Sequence, residues 1–271
     1  MKKNNNSKHS TAVKPKKHLG QHFLNDVEIA RKIAGIFGER VPEVDVILEI
    51  GPGMGVLTGY LNEFYGDKVH LAEIDPESVT YLNEHFPTLK EKIYEEDFLK
   101  MNLSDKFNGK LAVIGNFPYN ISSQIVFKVM ENRSLVSHFG GMFQKEVAER
   151  LTAKRRTKAY GILSVLLPAF FDVTYLFTVD EHVFIPPPKV KSGVIKAIRK
   201  ENYVLGCDEK LFFEVVKTSF GMRRKMLNNS LGKFNVPKEA MDTNEFSKLR
   251  AEELGVEEFV KLTNFIAENR R

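Results

Sequence analysis

A doubly wound, mostly parallel α/β sheet followed by a small all-helical C-terminal domain is the fold this sequence predicts, and two observations carry it. Between Asp45 and Phe143, short apolar runs alternate with stretches of helical spacing, the order that winds helices onto both faces of a parallel sheet. After Arg199 no strand pattern appears, while Asp208–Phe220 and Val256–Ala267 keep a helical period.

The elements follow in order. Residues 1–18 carry six lysines, two histidines and no acid. No apolar stretch behind them serves as a signal sequence, so they read as a basic disordered tail. Asp26–Phe37 has helical spacing, with Asn25 or Asp26 as its cap. Strands are expected at Asp45–Ile50, Val69–Glu73, Ile93–Glu96, Leu111–Gly115 and Ser137–Phe143, and helices at Val56–Tyr65, Pro76–Phe86, Ile121–Glu131 and Lys145–Lys154. Val173–Val179 and Gly193–Arg199 flank Pro186-Pro187-Pro188 closely enough to form an antiparallel pair at the sheet's edge. With a boundary near Lys200–Gly206, the chain divides into the tail, a large domain over 19–200 and a helical domain over 201–271.

Composition narrows the function classes. At 271 residues a sizeable core is available. No apolar run reaches the about eighteen residues of a membrane span, and the lone Cys207 excludes an internal disulfide, agrees with a reducing cytoplasm and leaves no cysteine cluster for zinc. Net charge is +5, and its distribution says more than its sum. Besides the tail, Lys145–Lys158 holds six Lys/Arg against two Glu, and Lys217–Lys233 holds five Lys/Arg and no acid. Each alone reads as a solvated helix face; together they suggest a surface that tracks phosphates.

The candidate site lies at successive strand ends. Val46–Ile50 runs into Gly51-Pro52-Gly53-Met54-Gly55 and then a helix, so the backbone can approach a ligand at a helix start. Position 56 is Val where a dinucleotide fingerprint has its third Gly, and the loop therefore suits a nucleoside cofactor without a pyrophosphate. Glu73 ends the next strand, 22 residues after Gly51, where an α/β sheet sets a carboxylate against ribose hydroxyls. Asp97 can accept from an adenine amino group, with Phe98 covering the ring. Asn116-Phe117-Pro118-Tyr119 closes the apolar run Leu111–Ile114. An exocyclic amine on adenine is a poor nucleophile because its lone pair is delocalised into the ring. The Asn116 carboxamide oxygen and the Phe117 and Pro118 carbonyls can accept its two hydrogens, and Tyr119 offers a stacking face. Taken alone the four residues fit an ordinary turn equally well, and each acid alone fits a solvated or capping carboxylate. Their order along the chain favours a site.

Glu49–Gly55, Glu73-Ile74-Asp75, Asp97-Phe98 and Asn116–Tyr119 resemble the successive motifs of the S-adenosylmethionine-dependent rRNA adenine dimethyltransferases, which have a Rossmann-like sheet. The resemblance extends to Lys17–Leu24, similar to the family's cofactor-covering segment, to Phe184–Ser192, similar to its proline-rich loop, and to Phe220–Leu231, similar to its basic C-terminal helix. Pro186–Val190 and the Arg223-Arg224-Lys225 run favour the small-subunit, kasugamycin-resistance branch over the macrolide-resistance branch that acts on large-subunit rRNA. Two departures stand out: the branch commonly has Asn where His22 stands and Leu where Phe117 stands.

The resemblance implies a 16S rRNA adenine N6-dimethyltransferase that modifies two adjacent adenines near the 3′ end of the rRNA in an immature 30S subunit. The cysteine usage points to the cytoplasm, no membrane partner is expected, and nothing in the sequence demands more than a monomer. It implies that His22, Leu24, Gly51, Gly53, Glu73, Asp97, Phe98 and Asn116 hold S-adenosyl-L-methionine, and that Asn116, Phe117, Pro118 and Tyr119 form the catalytic turn. Tyr119 and Phe184 would sandwich the target adenine, although Phe184 reads equally as a core residue, and Arg223, Arg224 and Lys225 would touch phosphates. A sulfonium donor has a neutral leaving group, so positioning carries the reaction and no metal is expected. Enzymes acting on DNA adenine or protein glutamine also present a planar amine to such a turn, but the proline loop and basic helix count against them. A ribosome-assembly factor acting mainly by binding is the alternative from another class.

Overall fold

The computed structural model describes residues 13–38, 43–201 and 204–270. In chain order the strands are β1 (Phe23–Leu24), β2 (Val46–Ile50), β3 (Val69–Glu73), β4 (Ile93–Glu95), β5 (Leu111–Asn116), β6 (Val136–Gln144), β7 (Phe171–Val179), β8 (Phe184–Ile185) and β9 (Ser192–Arg199). The helices are α1 (Val27–Ala34), α2 (Val56–Tyr65), α3 (Pro76–His85), α4 (Leu103–Lys106), α5 (Ser122–Glu131), α6 (Lys145–Leu151), α7 (Ile162–Phe170), α8 (Glu209–Gly221), α9 (Leu227–Ser230), α10 (Lys238–Thr243) and α11 (Val256–Asn269).

A seven-stranded sheet runs β4-β3-β2-β5-β6-β9-β7. The first five strands are parallel, and β9 and β7 add the expected antiparallel edge. Alternation within the strands sorts their side chains into two apolar layers. Ile47, Leu71, Ala112 and Ile114 pack with Ile33, Leu57, Leu61 and Leu82 on one face. Leu48, Leu111 and Val113 pack on the other with Ile125, Val126 and Val129 of α5 and Val165–Leu167 of α7. That second layer continues without a break into Phe212 and Val215 of α8 and Phe259, Leu262 and Ile266 of α11. Asp26 caps α1, accepting from the Glu28 and Ile29 amides at 3.0 Å each, and Asp208 caps α8 by accepting from Leu211 N at 2.7 Å.

Two expectations are corrected and one helix is added. Of the tail expected at 1–18, residues 1–12 lie outside the described residues, but from Val13 the chain is ordered: Val13 is buried and Lys17–Leu19 form a turn of 3₁₀ helix. The basic Phe220–Leu231 stretch is not one helix, since α8 ends at Gly221 and Leu227–Ser230 begin a new short one. Sequence reading also missed α7, whose almost wholly apolar face and internal Pro168 hide the helical period.

Candidate active site

The strand order reverses between β2 and β5, the switch point at which open α/β sheets bind ligands. Ile50 pairs with Gly115, so Gly51 and Asn116 are the next residues out on neighbouring strands. A cleft of about 960 Å³, mouth included, opens there. Its walls are the Gly51–Gly53 loop, Glu73 and Ile74 at the end of β3, Asp97 and Phe98 after β4, the Asn116–Tyr119 turn at the end of β5, and His18–Phe23.

The orientation of Asn116 is set by its neighbour. Its Nδ2 donates to the main-chain carbonyl of His22 at 2.9 Å; a carbonyl only accepts, so the nitrogen must face it and Oδ1 is left as the acceptor. Phe117 N donates to Met142 O at 3.1 Å. The Phe117 ring is buried, with Phe139 and Phe143 at 5.5 and 4.7 Å between centroids, so the residue serves the cleft through its backbone. The Pro118 carbonyl already accepts from Ile121 N at 3.2 Å. Of the two carbonyls expected to receive an amine, that of Phe117 has no backbone partner among the described residues, and Pro118 has one lone pair committed to the turn.

Tyr119 is held at both ends. Its hydroxyl bonds Ser192 Oγ at 2.6 Å, and its ring stacks on the His22 imidazole at 5.5 Å and 28°. Burial pushes the Tyr119 phenol up, against the Ser192 hydrogen bond, so the group stays neutral. His22 Nδ1 lies 2.8 Å from the Pro186 carbonyl and therefore carries the proton. His22 thus ties the N-terminal segment to Asn116, Tyr119 and the proline loop at once.

That segment is anchored along its length. Lys16 Nζ lies 2.5 Å from Asp75 and 3.1 Å from Glu77, and Gln21 Nε2 donates to Asp75 at 3.2 Å. Burial alone would raise the Asp75 carboxyl, but the hydrogen bonds from Lys16 and Gln21 outweigh it and hold the group below its ordinary value. β1 pairs antiparallel with β8. The Phe23 ring fills the place of the side chain Gly53 lacks: a Cβ at Gly53, whose φ is +56°, would lie 2.7 Å from it.

Glu73 and Asp97 line this enclosure, and Glu49 lies beneath it. Glu73 accepts from Gly53 N at 3.0 Å and from Ile74 N and Asp75 N at 2.9 Å each. Burial raises its pKa despite those donors. Asp97 Oδ1 accepts from Leu99 N at 2.9 Å. Glu49, buried beneath the glycine loop, accepts from Thr58 Oγ1 at 2.7 Å, and burial pushes it up to about 8.

Ten of the sequence-derived residues therefore share one cleft: His22, Gly51, Gly53, Glu73, Asp97, Phe98, Asn116, Phe117, Pro118 and Tyr119. Five do not. Leu24 and Phe184 pair across β1 and β8 and are buried in the apolar layer, so in this arrangement Phe184 is a core residue and not a face of the cleft. Arg223 bonds Glu252 at 2.7 Å and the Thr157 and Lys158 carbonyls at 3.0 Å each, which spends its donors internally. Arg224 and Lys225 are exposed, away from the cleft. Sequence reasoning also passed over Ile74, an apolar side chain left 48% exposed beside Glu73. An isoleucine between two acids at a strand end was the available signal.

A family model described as "Ribosomal RNA adenine dimethylase" matches residues 12–268. The chain is 57% identical over 255 residues to the Ribosomal RNA small subunit methyltransferase A of Flavobacterium johnsoniae, covering 94% of this chain and 96% of that one. With the protein of the same name from Cytophaga hutchinsonii the identity is 55% over 263 residues, covering 94% and 98%. The fold matches a dimethyladenosine transferase crystal structure from Plasmodium falciparum with a TM-score of 0.77 at 26% identity, covering 92% and 98%. With the strand-end motifs gathered in one cleft and these likenesses running nearly end to end, the chain belongs to the ribosomal RNA adenine dimethylase family.

Proposed function

We propose that this protein dimethylates N6 of two adjacent adenines near the 3′ end of small-subunit rRNA, on a cytoplasmic, immature 30S particle, acting as a monomer. The observation that carries the reading is the Asn116 carboxamide, whose nitrogen is committed to the His22 carbonyl at 2.9 Å and whose oxygen is therefore aimed as an acceptor. The curated relatives bear the name of a small-subunit rRNA methyltransferase over nearly their whole length. Among the described residues no helix is long and apolar enough to cross a membrane.

The methyl donor is S-adenosylmethionine, which supplies an electrophilic methyl group on a positively charged sulfur. The residues present fit it. Ile74 and Phe98 give an apolar slot for a flat ring, Asp97 an acceptor for its amino group, and Glu73 a carboxylate for hydroxyls; Gly51 and Gly53 let the backbone come close. Asn116 Oδ1 and the Phe117 carbonyl would accept the two hydrogens of the target amine, and both bonds strengthen as its nitrogen gains positive charge. Tyr119 supplies a stacking face, and stacking a base on an aromatic is worth about 1–3 kcal/mol toward the cost of flipping it out. The helical region over 201–271, with exposed Arg224 and Lys225, would add phosphate contacts.

The test is mass mapping or primer extension on small-subunit rRNA from cells lacking this protein. Two adjacent unmethylated adenines near the 3′ end are expected, restored by the gene. Full methylation in its absence would overturn the proposal.

A further inference from the structure

A second groove lies on the far side of the first turn of α5. Ile121 faces the active-site cleft, and Ser123, two residues on, lines the groove. The two cavities thus share one helical turn as a wall, itself pinned to the catalytic turn by Ser122 Oγ donating to Tyr119 O at 3.1 Å. The half-buried rings of Phe127 and Phe220 and the side chain of Leu163 form the floor, and Arg150, Lys158 and Arg223 stand around it. No acid lines it. Lys217 reaches over the Phe127 ring at 5.0 Å from its centroid.

The fold makes this arrangement from two basic segments some sixty positions apart, one ending at Lys158 and the other beginning at Lys217. Arg150 pairs with Glu146 and Arg223 with Glu252, so the charge of each is partly compensated within the protein. Arg223 also holds the loop that carries Lys158 by donating to its carbonyl. Lys158 and Lys217 have no acidic partner among the described residues. Partly exposed aromatic rings, with the Lys217 ammonium beside one of them and Lys158 at the groove wall, are the parts from which single-stranded nucleic acid is held: rings stack bases and ammonium groups meet the phosphates between.

We propose that this groove is a second nucleotide-binding site, taking an unpaired base of the substrate rRNA close to the target adenine, with its flanking phosphates on Lys158 and Lys217. The inference rests on the rRNA substrate argued above. It makes α5 a divider between a base undergoing chemistry and a base held only for register.

The test uses full-length protein and small subunits from cells lacking it. For Lys158→Ala/Lys217→Ala, affinity for the particles should fall about tenfold, and the slope of log K against log salt should become shallower by about 1.4–1.8, the loss of two phosphate contacts. Calorimetric affinity for S-adenosylmethionine and the melting temperature should not move, and Lys158→Arg/Lys217→Arg should restore binding. Wild-type methylation together with an unchanged slope and affinity would refute the groove alone, whereas failure of the wild-type protein to methylate these particles would refute the parent reading. In a Cys207→Ser background, Ser123→Cys carrying a photoreactive label should cross-link to an rRNA nucleotide other than the methylated adenines. Cross-linking only to a ribosomal protein, or to nothing, would overturn the assignment of RNA as occupant.

Discussion

Replacing Asn116 separates two functions that its carboxamide combines. The nitrogen holds the N-terminal segment through the His22 carbonyl at 2.9 Å. The oxygen is the acceptor for the target amine. A neutral hydrogen bond contributes about 0.5–1.5 kcal/mol net, so Asn116→Ala should loosen that segment and weaken cofactor binding by only about two- to tenfold, the Lys16–Asp75 pair and the β1–β8 ladder still holding it. Deleting a bond that strengthens in the transition state costs far more, about 10²–10³ in kcat by analogy with a lost oxyanion-hole donor. Asn116→Asp sharpens the distinction. It keeps an oxygen toward the substrate but sets a second one against the His22 carbonyl, replacing attraction with repulsion, so its cofactor affinity should fall below that of the alanine variant. Labelled-methyl incorporation into unmethylated small subunits gives kcat, and titration calorimetry gives cofactor affinity. An alanine variant that kept more than a tenth of wild-type kcat, or an aspartate variant that bound cofactor as well as wild type, would refute the reasoning.

Three further outcomes are expected. Glu73→Ala should weaken cofactor binding with little loss of maximal rate at saturating cofactor, read by calorimetry and by rate against cofactor concentration; unaltered affinity would remove Glu73 from the cofactor wall. Glu49, raised from 4.5 to about 8 by burial, binds its proton in the folded state over a range where the unfolded chain has released it, so its contribution to stability falls as pH rises from about 4.5 to about 8. Glu49→Gln keeps an acceptor for Thr58 and escapes this fall, so its advantage in melting temperature over wild type should grow between pH 5 and pH 8, and a constant difference would contradict a neutral carboxyl. Arg223→Ala should lower the melting temperature, by about 2–4 °C for each kcal/mol lost, and leave the salt slope of RNA binding nearly unchanged, while Arg224→Ala/Lys225→Ala should do the reverse. The opposite pattern would return Arg223 to the RNA surface.

Much of the fold was legible because its strands are buried on both sides. Runs such as Val46–Ile50, Val69–Glu73 and Leu111–Ile114 are apolar apart from Glu49 and His70 until a glycine, acid or amide ends them, and those ends are where a parallel sheet gathers its functional groups. The glycine loop, Glu73, Asp97 and Asn116 were therefore readable as a set and fall into one cleft. What stayed hidden depends on contacts distant in sequence. β1 and β8 are two residues each, too short to show a period. Phe184 looks the same in a sequence whether it faces a ligand or the core. Lys16 reads as tail charge until Asp75 is seen beside it. Arg223 stands in a basic run but spends its donors on Glu252 and two carbonyls, a partnership no local pattern announces.

The apolar layer that runs unbroken from the sheet through α7 into α8 and α11 bears on how such a chain can be engineered. Cutting after position 200 would strip α8 and α11 from α7, against which they pack in that layer, at about 1.5–3 kcal/mol for every large side chain laid bare. A chimera that imports the last helices of a relative would have to bring that relative's version of residues 162–170 with them, since the seam of this molecule lies inside the barrier-free interior and not at the visible linker.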